Sequence, residues 1–314
     1  MRPTVISTLA CASLLAASAC AGSTSAPKGS GAAHLEAADV EMVEPADEFD
    51  PVSLRSGARH LGHDLARSLP SYDGNLVYSP TSLALAFAML REGAGGQTAA
   101  EIDEVLHFPA DRQTAYNALI HELADVGEGD VLEVNDALFL DPSLEVEPRY
   151  LEQIKKWYGA GVEQTEFPAP ALGDINGWVA DKTHGRIPNL IDQLDPKAVF
   201  ALVNTIYLKA KWDFEFDPTE TIDQTFTRGD GSKVTATMMR QTHPLEFAKG
   251  DGWQAVRLAY AGGKLSMWVL LPDQADGDPR ALLDAGHLAR PSRLSPPGTW
   301  PCPCRAGTPR PVLT

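Results

Sequence analysis

Hydrophobic positions along this chain follow two periods, and the clearest case is a period of two in "ALVNTIYLKAKWDFEF", residues 201–216. Steps of two from Phe200 bring Leu202, Asn204, Ile206, Leu208, Ala210, Trp212, Phe214 and Phe216 to one side of a strand. The opposite side opens on Ala201, Val203 and Tyr207 and then turns charged with Lys209, Lys211, Asp213 and Glu215. This predicts a strand covered on both faces at its start, with one face in water at its end. Asn204 interrupts the apolar side. An amide buried without partners costs about 1–3 kcal/mol, so its place predicts polar groups waiting for it.

A helical period governs the earlier residues. From Ser53, Leu54, Ala58, Leu61, Leu65 and Leu69 fall three or four apart and predict an amphipathic helix, although Gly57 and Gly62 stand inside it. In "NLVYSPTSLALAFAMLREGAGG" a short apolar strand runs into Ser79, an N-cap residue, and Pro80, suited to the first helical position. The helix that follows is apolar almost all round, which predicts burial, and it stops at Gly93. "QTAAEIDEVL" and residues 113–126 predict two more helices. "DVLEVNDALFL" predicts a strand, "EVEPRYLEQIKKWYGAGVEQTEF" a helix and then a strand, and "LGDINGWVADKTHGRIPNLI" a helix ending near Gly185. Two hairpins come last: "QTFTRGDGSKVTATMMRQ" about Gly-Asp-Gly, and "WQAVRLAY" with "KLSMWVLLPD" about Ala261-Gly262-Gly263. Helices first, mixed units next and consecutive strands last predict an α+β domain.

Both ends differ from this middle. Residues 1–19, "MRPTVISTLACASLLAASA", have one Arg, an uncharged apolar run and small residues, the pattern of a secretory signal peptide. Cys20 follows directly, and "LAASAC" resembles the bacterial lipobox, which makes Cys20 the expected lipidation site and the expected localisation extracellular or at the cell surface. Residues 20–50 are Ser, Gly, Ala, Pro and acid without a period, a predicted tether. From about Gly277 to Thr314 the chain fills with Pro, Arg and Gly and loses strand alternation. The domain is therefore expected over 51–276, with an unrelated tail over 277–314.

Charge and chemistry narrow the function classes. A net charge of −16 argues against a nucleic-acid backbone or an anionic membrane surface as partner, leaving a lipid at Cys20 as the expected membrane contact. Cys302 and Cys304 are too close for an unstrained disulfide and have no His nearby for zinc, so neither a disulfide framework nor a metal is expected. No Gly-x-Ser-x-Gly elbow occurs. "GAGGQT" lacks the Lys of a phosphate loop and follows a helix, "HELAD" lacks the second His of a zincin, and His60, His63 and Asp64 fit a solvated helix face. No catalytic set and no cofactor site emerges, and the chain is not expected to be an enzyme.

Taken together, residues 53–273 resemble the serpin family of serine protease inhibitors. The likeness is carried by "NLVYSPTSLALAFAMLREGAGGQTAAEIDEVL", by "NGWVADKTHGRIPNLI" with "FALVNTIYLKAKWDFEF", and by "DGSKVTATMMRQ" and "LSMWVLLPD". The resemblance implies a serpin fold: a central mixed sheet, further sheets and surrounding helices. It implies a shutter, a buried polar cluster formed by Ser79, Ser82 and Asn204, at the place where the sheet opens. It also implies suicide inhibition of a serine or cysteine protease by a monomer, through insertion of a cleaved reactive loop into the sheet. The likeness stops near Pro272-Asp273, and no hinge or reactive loop is recognisable in 277–314, as after a truncation or a frameshift. The alternative is a non-inhibitory, serpin-fold binding or structural lipoprotein.

Overall fold

The computed structural model describes residues 32–37, 39–46, 51–68, 76–228 and 230–274. The signal peptide, Cys20 and the tail over 277–314 lie outside the described residues. In chain order the elements are β1 (Ala33–Leu35), α1 (Pro51–Ser68), α2 (Pro80–Arg91), α3 (Gly96–Val105), α4 (Arg112–Ala124), β2 (Val131–Leu140), α5 (Pro148–Tyr158), β3 (Val162–Gln164), α6 (Ala169–Lys182), β4 (Phe200–Lys209), β5 (Ile222–Thr227), β6 (Lys233–Met238), β7 (Glu246–Gly250), β8 (Trp253–Ala259) and β9 (Ser266–Pro272). The α+β class holds.

A four-stranded mixed sheet in the order β1-β3-β2-β4 organises the molecule. Strands β2 and β3 run parallel, and β2 pairs antiparallel with β4 over their whole length, from Val131↔Lys209 to Leu140↔Phe200. Period-two alternation sorts the side chains of β2 onto two faces. Leu138 goes to one, in a core with Leu85 and Met89 of α2, Tyr116 of α4 and Ile154 of α5. Ala137 and Phe139 go to the other, against Ala171, Ile175 and Val179 of α6. The sheet is thus a layer between α6 and the other helices. Beyond it lie the β5-β6 hairpin and the β7-β8-β9 sheet, linked to the end of β4 by the Trp212↔Tyr260 bridge, whose rings stack at 4.5 Å.

Local chemistry explains most of the elements. Ser79 is the N-cap of α2: its Oγ accepts from the Ser82 N–H at 3.2 Å, and Pro80 supplies the preset φ of the first position. Ser79→Ala is expected to cost about 1 kcal/mol, read as a lowered urea midpoint. The two glycines inside α1 serve close packing. A Cβ on Gly57 would lie 2.6 Å from the carbonyl oxygen of His107, and one on Gly62 would lie 2.9 Å from Cγ of Pro80. The predicted strand over Leu76–Tyr78 does not form; the segment is irregular and Val77 is 92% exposed, because it pairs with no strand among the described residues.

Two features tie the helices together. Glu92, just after α2, accepts from Arg112 Nη2 of α4 (2.8 Å), Gln113 Nε2 (2.8 Å) and the Tyr158 hydroxyl of α5 (3.0 Å). Asp103 of α3 joins this network through Arg91 (2.7 Å) and Arg112 (3.3 Å). The second feature lies within the segment expected to be a tether: residues 32–37 and 39–46 run across the body as a strap. Its strand β1 pairs antiparallel with β3, and Leu35 packs on the core. Farther on, Val43 donates to the Lys156 carbonyl at 2.8 Å, while its own carbonyl accepts from Asn117 Nδ2 at 3.0 Å and His121 Nε2 at 3.3 Å. His121 is half-buried for that reason.

Candidate functional site

The residues expected to form the polar cluster come from two elements that touch, since α2 packs on both β2 and β4. Ser82, in the first turn of α2, is 2% exposed, and its Oγ has no hydrogen-bond partner among the described residues. Ser79 sits at the helix start and spends its Oγ on the cap. Asn204 lies at the middle of β4 and is half-buried. Its amide bonds to the neighbouring strand: Nδ2 donates to Asp136 Oδ1 at 2.7 Å and to the Asn135 carbonyl at 3.3 Å, both on β2.

Asp136 is the partner that sequence reasoning missed. A signal existed: Asn135-Asp136 breaks the apolar run of β2 as Asn204-Thr205 breaks that of β4, and register sets the two dipeptides side by side, Asp136 across from Asn204 and Asn135 across from Thr205. Because successive side chains alternate, Asp136 and Asn204 share the α2 side with Leu138 and Leu202, while Asn135 and Thr205 share the α6 side with Ala137 and Val203. Thr205 is buried, and both Asn135 Nδ2 and Thr205 Oγ1 lack partners among the described residues. A polar belt therefore crosses the full thickness of the sheet at its centre.

Electrostatics single out one member of the belt. Burial pushes the Asp136 carboxyl up to about 7 from an ordinary 3.8, against the opposing pull of the Asn204 amide. The residue as a whole keeps some exposure, but its carboxyl group is deeply surrounded, and that local crowding sets the cost of charging it.

The covered side of β4 also differs from expectation. Val203 and Thr205, facing α6, are its buried residues, whereas Phe200, Ile206 and Leu208 on the Asn204 side are 53, 39 and 44% exposed. The reason is position: β4 ends the sheet among the described residues and pairs with β2 alone. Other candidate chemistry stays dispersed. Asp64 holds His107 Nε2 at 2.8 Å, beside His63, and among the described residues no group of three or more His, Cys, Asp and Glu could hold a metal. No described helix is long and apolar enough to cross a membrane.

Comparison with known proteins agrees with this geometry. The family pattern described as Serpin (serine protease inhibitor) matches residues 56–290, running past the Asp273 at which the sequence likeness was expected to stop. A serpin-like protein of Thermococcus kodakarensis is 34% identical over 218 residues, 67% of this chain and 51% of that protein. Leukocyte elastase inhibitor A of Mus musculus is 31% identical over 234 residues, 72% of this chain and 61% of that one. Among solved structures, human thyroxine-binding globulin superimposes with a TM-score of 0.71 at 26% identity, over 78% of this chain and 70% of that one. The chain thus spans about half to three-fifths of the length of these curated relatives. With its helix-flanked central sheet and a family match over most of its residues, the chain belongs to the serpin family.

Proposed function

We propose that this chain is a serpin-type protein whose complete form inhibits a serine or cysteine protease as a suicide substrate, and that it is exported and lipid-anchored at Cys20. Family membership over residues 56–290 carries the reading. It is supported by the place of β4 at the end of the described sheet, where the backbone of an added strand would find N–H and C=O groups to pair with. The polar belt, with Ser82 and Asn204, serves as the shutter on which an opening sheet would turn, Ser79 holding the start of α2. The protein is no enzyme on this reading, acts as a monomer and needs no cofactor. Because no hinge or reactive loop is recognisable in 277–314, the 314-residue polypeptide itself does not trap a protease.

The test is incubation with trypsin-like and chymotrypsin-like proteases followed by denaturing electrophoresis. The 314-residue chain should give no detergent-resistant complex, and a chimera in which a serpin hinge and reactive loop replace 277–314 should give one. A complex with the unaltered chain would refute its inactivity. A chimera that folds and is cleaved without trapping would favour the non-inhibitory reading.

A further inference from the structure

We propose that Asp136 is a proton-operated latch of the central sheet: its neutral carboxyl seats in the polar belt and holds β2 to β4 through Asn204, and its ionised form draws solvent in and loosens that centre. The inference concerns the sheet alone and stands whether or not the complete protein traps a protease.

The geometry makes Asp136 a poor site for a permanent charge. Among the described residues its one side-chain partner is a neutral amide, Asn204 Nδ2 at 2.7 Å, and no described cation offsets a carboxylate there. The ionisable groups of the surrounding elements are engaged elsewhere or lie at the ends of their elements. On α2, Arg91 pairs with Asp103; on α4, Arg112 pairs with Glu92, His121 reaches Val43, Tyr116 lies in the helical core and Glu122 in the last turn. On α6, Asp174 accepts from Thr165, with Asp181 and Lys182 in the last turn. In the sheet, Glu163 holds His34 and Glu133 holds His184, whose ring meets Tyr207, while Lys209 ends β4.

Protonation changes what the group can do, because a neutral carboxyl gains an O–H donor. Among the described residues two buried hydroxyl groups lack partners, Thr205 Oγ1 in the belt and Ser82 Oγ on α2, the helix that packs on β2 and β4. The sign follows from linkage. With its folded value raised from 3.8 to about 7, Asp136 binds its proton more tightly in the closed sheet than in water. Its contribution is therefore fully present below the ordinary carboxylate range, declines as pH rises above it and is gone above about 7.

Hydrogen–deuterium exchange, corrected for the intrinsic effect of pH, tests this on the full chain. Between about pH 5.5 and about pH 8 the amides of β2 and β4 should lose protection by about tenfold or more, while those of β7–β9 change little. In Asp136→Asn, which keeps the shape and cannot ionise, protection should be the same at both pH values. Equal losses in the variant and the parent, or no loss in the parent, would overturn the latch. The side-chain carboxyl carbon resonance of Asp136 supplies a readout that needs no variant: titration near neutrality is expected, and titration near 4 would overturn the proposal.

Discussion

Replacing Arg112 by methionine should lower the stability of the chain by about 3 kcal/mol or more, because it strands a carboxylate in a place built for an ion pair. The side chains of Glu92 and Arg112 are 7 and 12% exposed, so water cannot take over the role of the lost guanidinium. Burial first and the Glu92 carboxylate second already hold the Tyr158 phenol well above its ordinary range, a sign of how dry the site is. Gln113 and Tyr158 still donate to Glu92, and Arg91 still neutralises Asp103, which places the loss toward the lower end of the 3–5 kcal/mol usual for such a break. Removing both charges with Glu92→Leu and Arg112→Met should recover much of it. Urea midpoints of parent, single and double variants make the comparison. A double variant as weak as the single would show that geometry at Glu92, not charge, is what matters.

Phe139→Ala should be as damaging by another route, at about 3–5 kcal/mol. Phe139 is completely buried between β2 and α6, in a cluster with Ala171, Ile175 and Val179. Its ring meets Trp178 edge-on at 6.2 Å, and the β-branched Ile175, Val179 and Val203 of the same cluster have restricted side-chain rotations that limit how far they can refill the space. Phe139→Leu keeps most of the volume and should cost about 1–2 kcal/mol. In protein labelled with fluorotryptophan the fluorine resonance of Trp178 reports locally: a change on urea addition that precedes the global transition in Phe139→Ala would mean that α6 detaches first. A single coincident transition with an unchanged midpoint would contradict the role assigned to this ring.

The contrast between what the sequence reveals and what it hides follows the range of the interactions. Ser79-Pro80 announces α2 because capping involves residues three apart. The β5–β6 and β8–β9 hairpins are equally visible, since turn and alternation sit in one window. Gly57 looked like a weakness of α1 because the backbone that needs the space, at His107, is 50 positions away. Leu76–Tyr78 has the composition of a strand, but a strand is a property of two segments and its partner is not in its own residues. The three residues of β1 are too few for a period to show, and the hydrogen bonds that secure Val43 come from Asn117 and His121.

The site divides in the same way. Asn204 stood out as an amide among apolar neighbours, yet its bonding partner could be found only through the register of β2 against β4, which alternation alone does not set. The two serines came from the family likeness; Ser82 is buried on α2, which packs on β2 and β4, while the amide of Asn204 donates to Asp136.

The strap over residues 32–37 and 39–46 fixes a leash length. Counting from Cys20 to the first paired residue, Ala33, a fully extended chain reaches about 45 Å at most. On the proposed lipid anchor the edge of the sheet at β1 would ride within that distance of the bilayer, and only proteases able to work in this shallow zone above the headgroups would meet the protein.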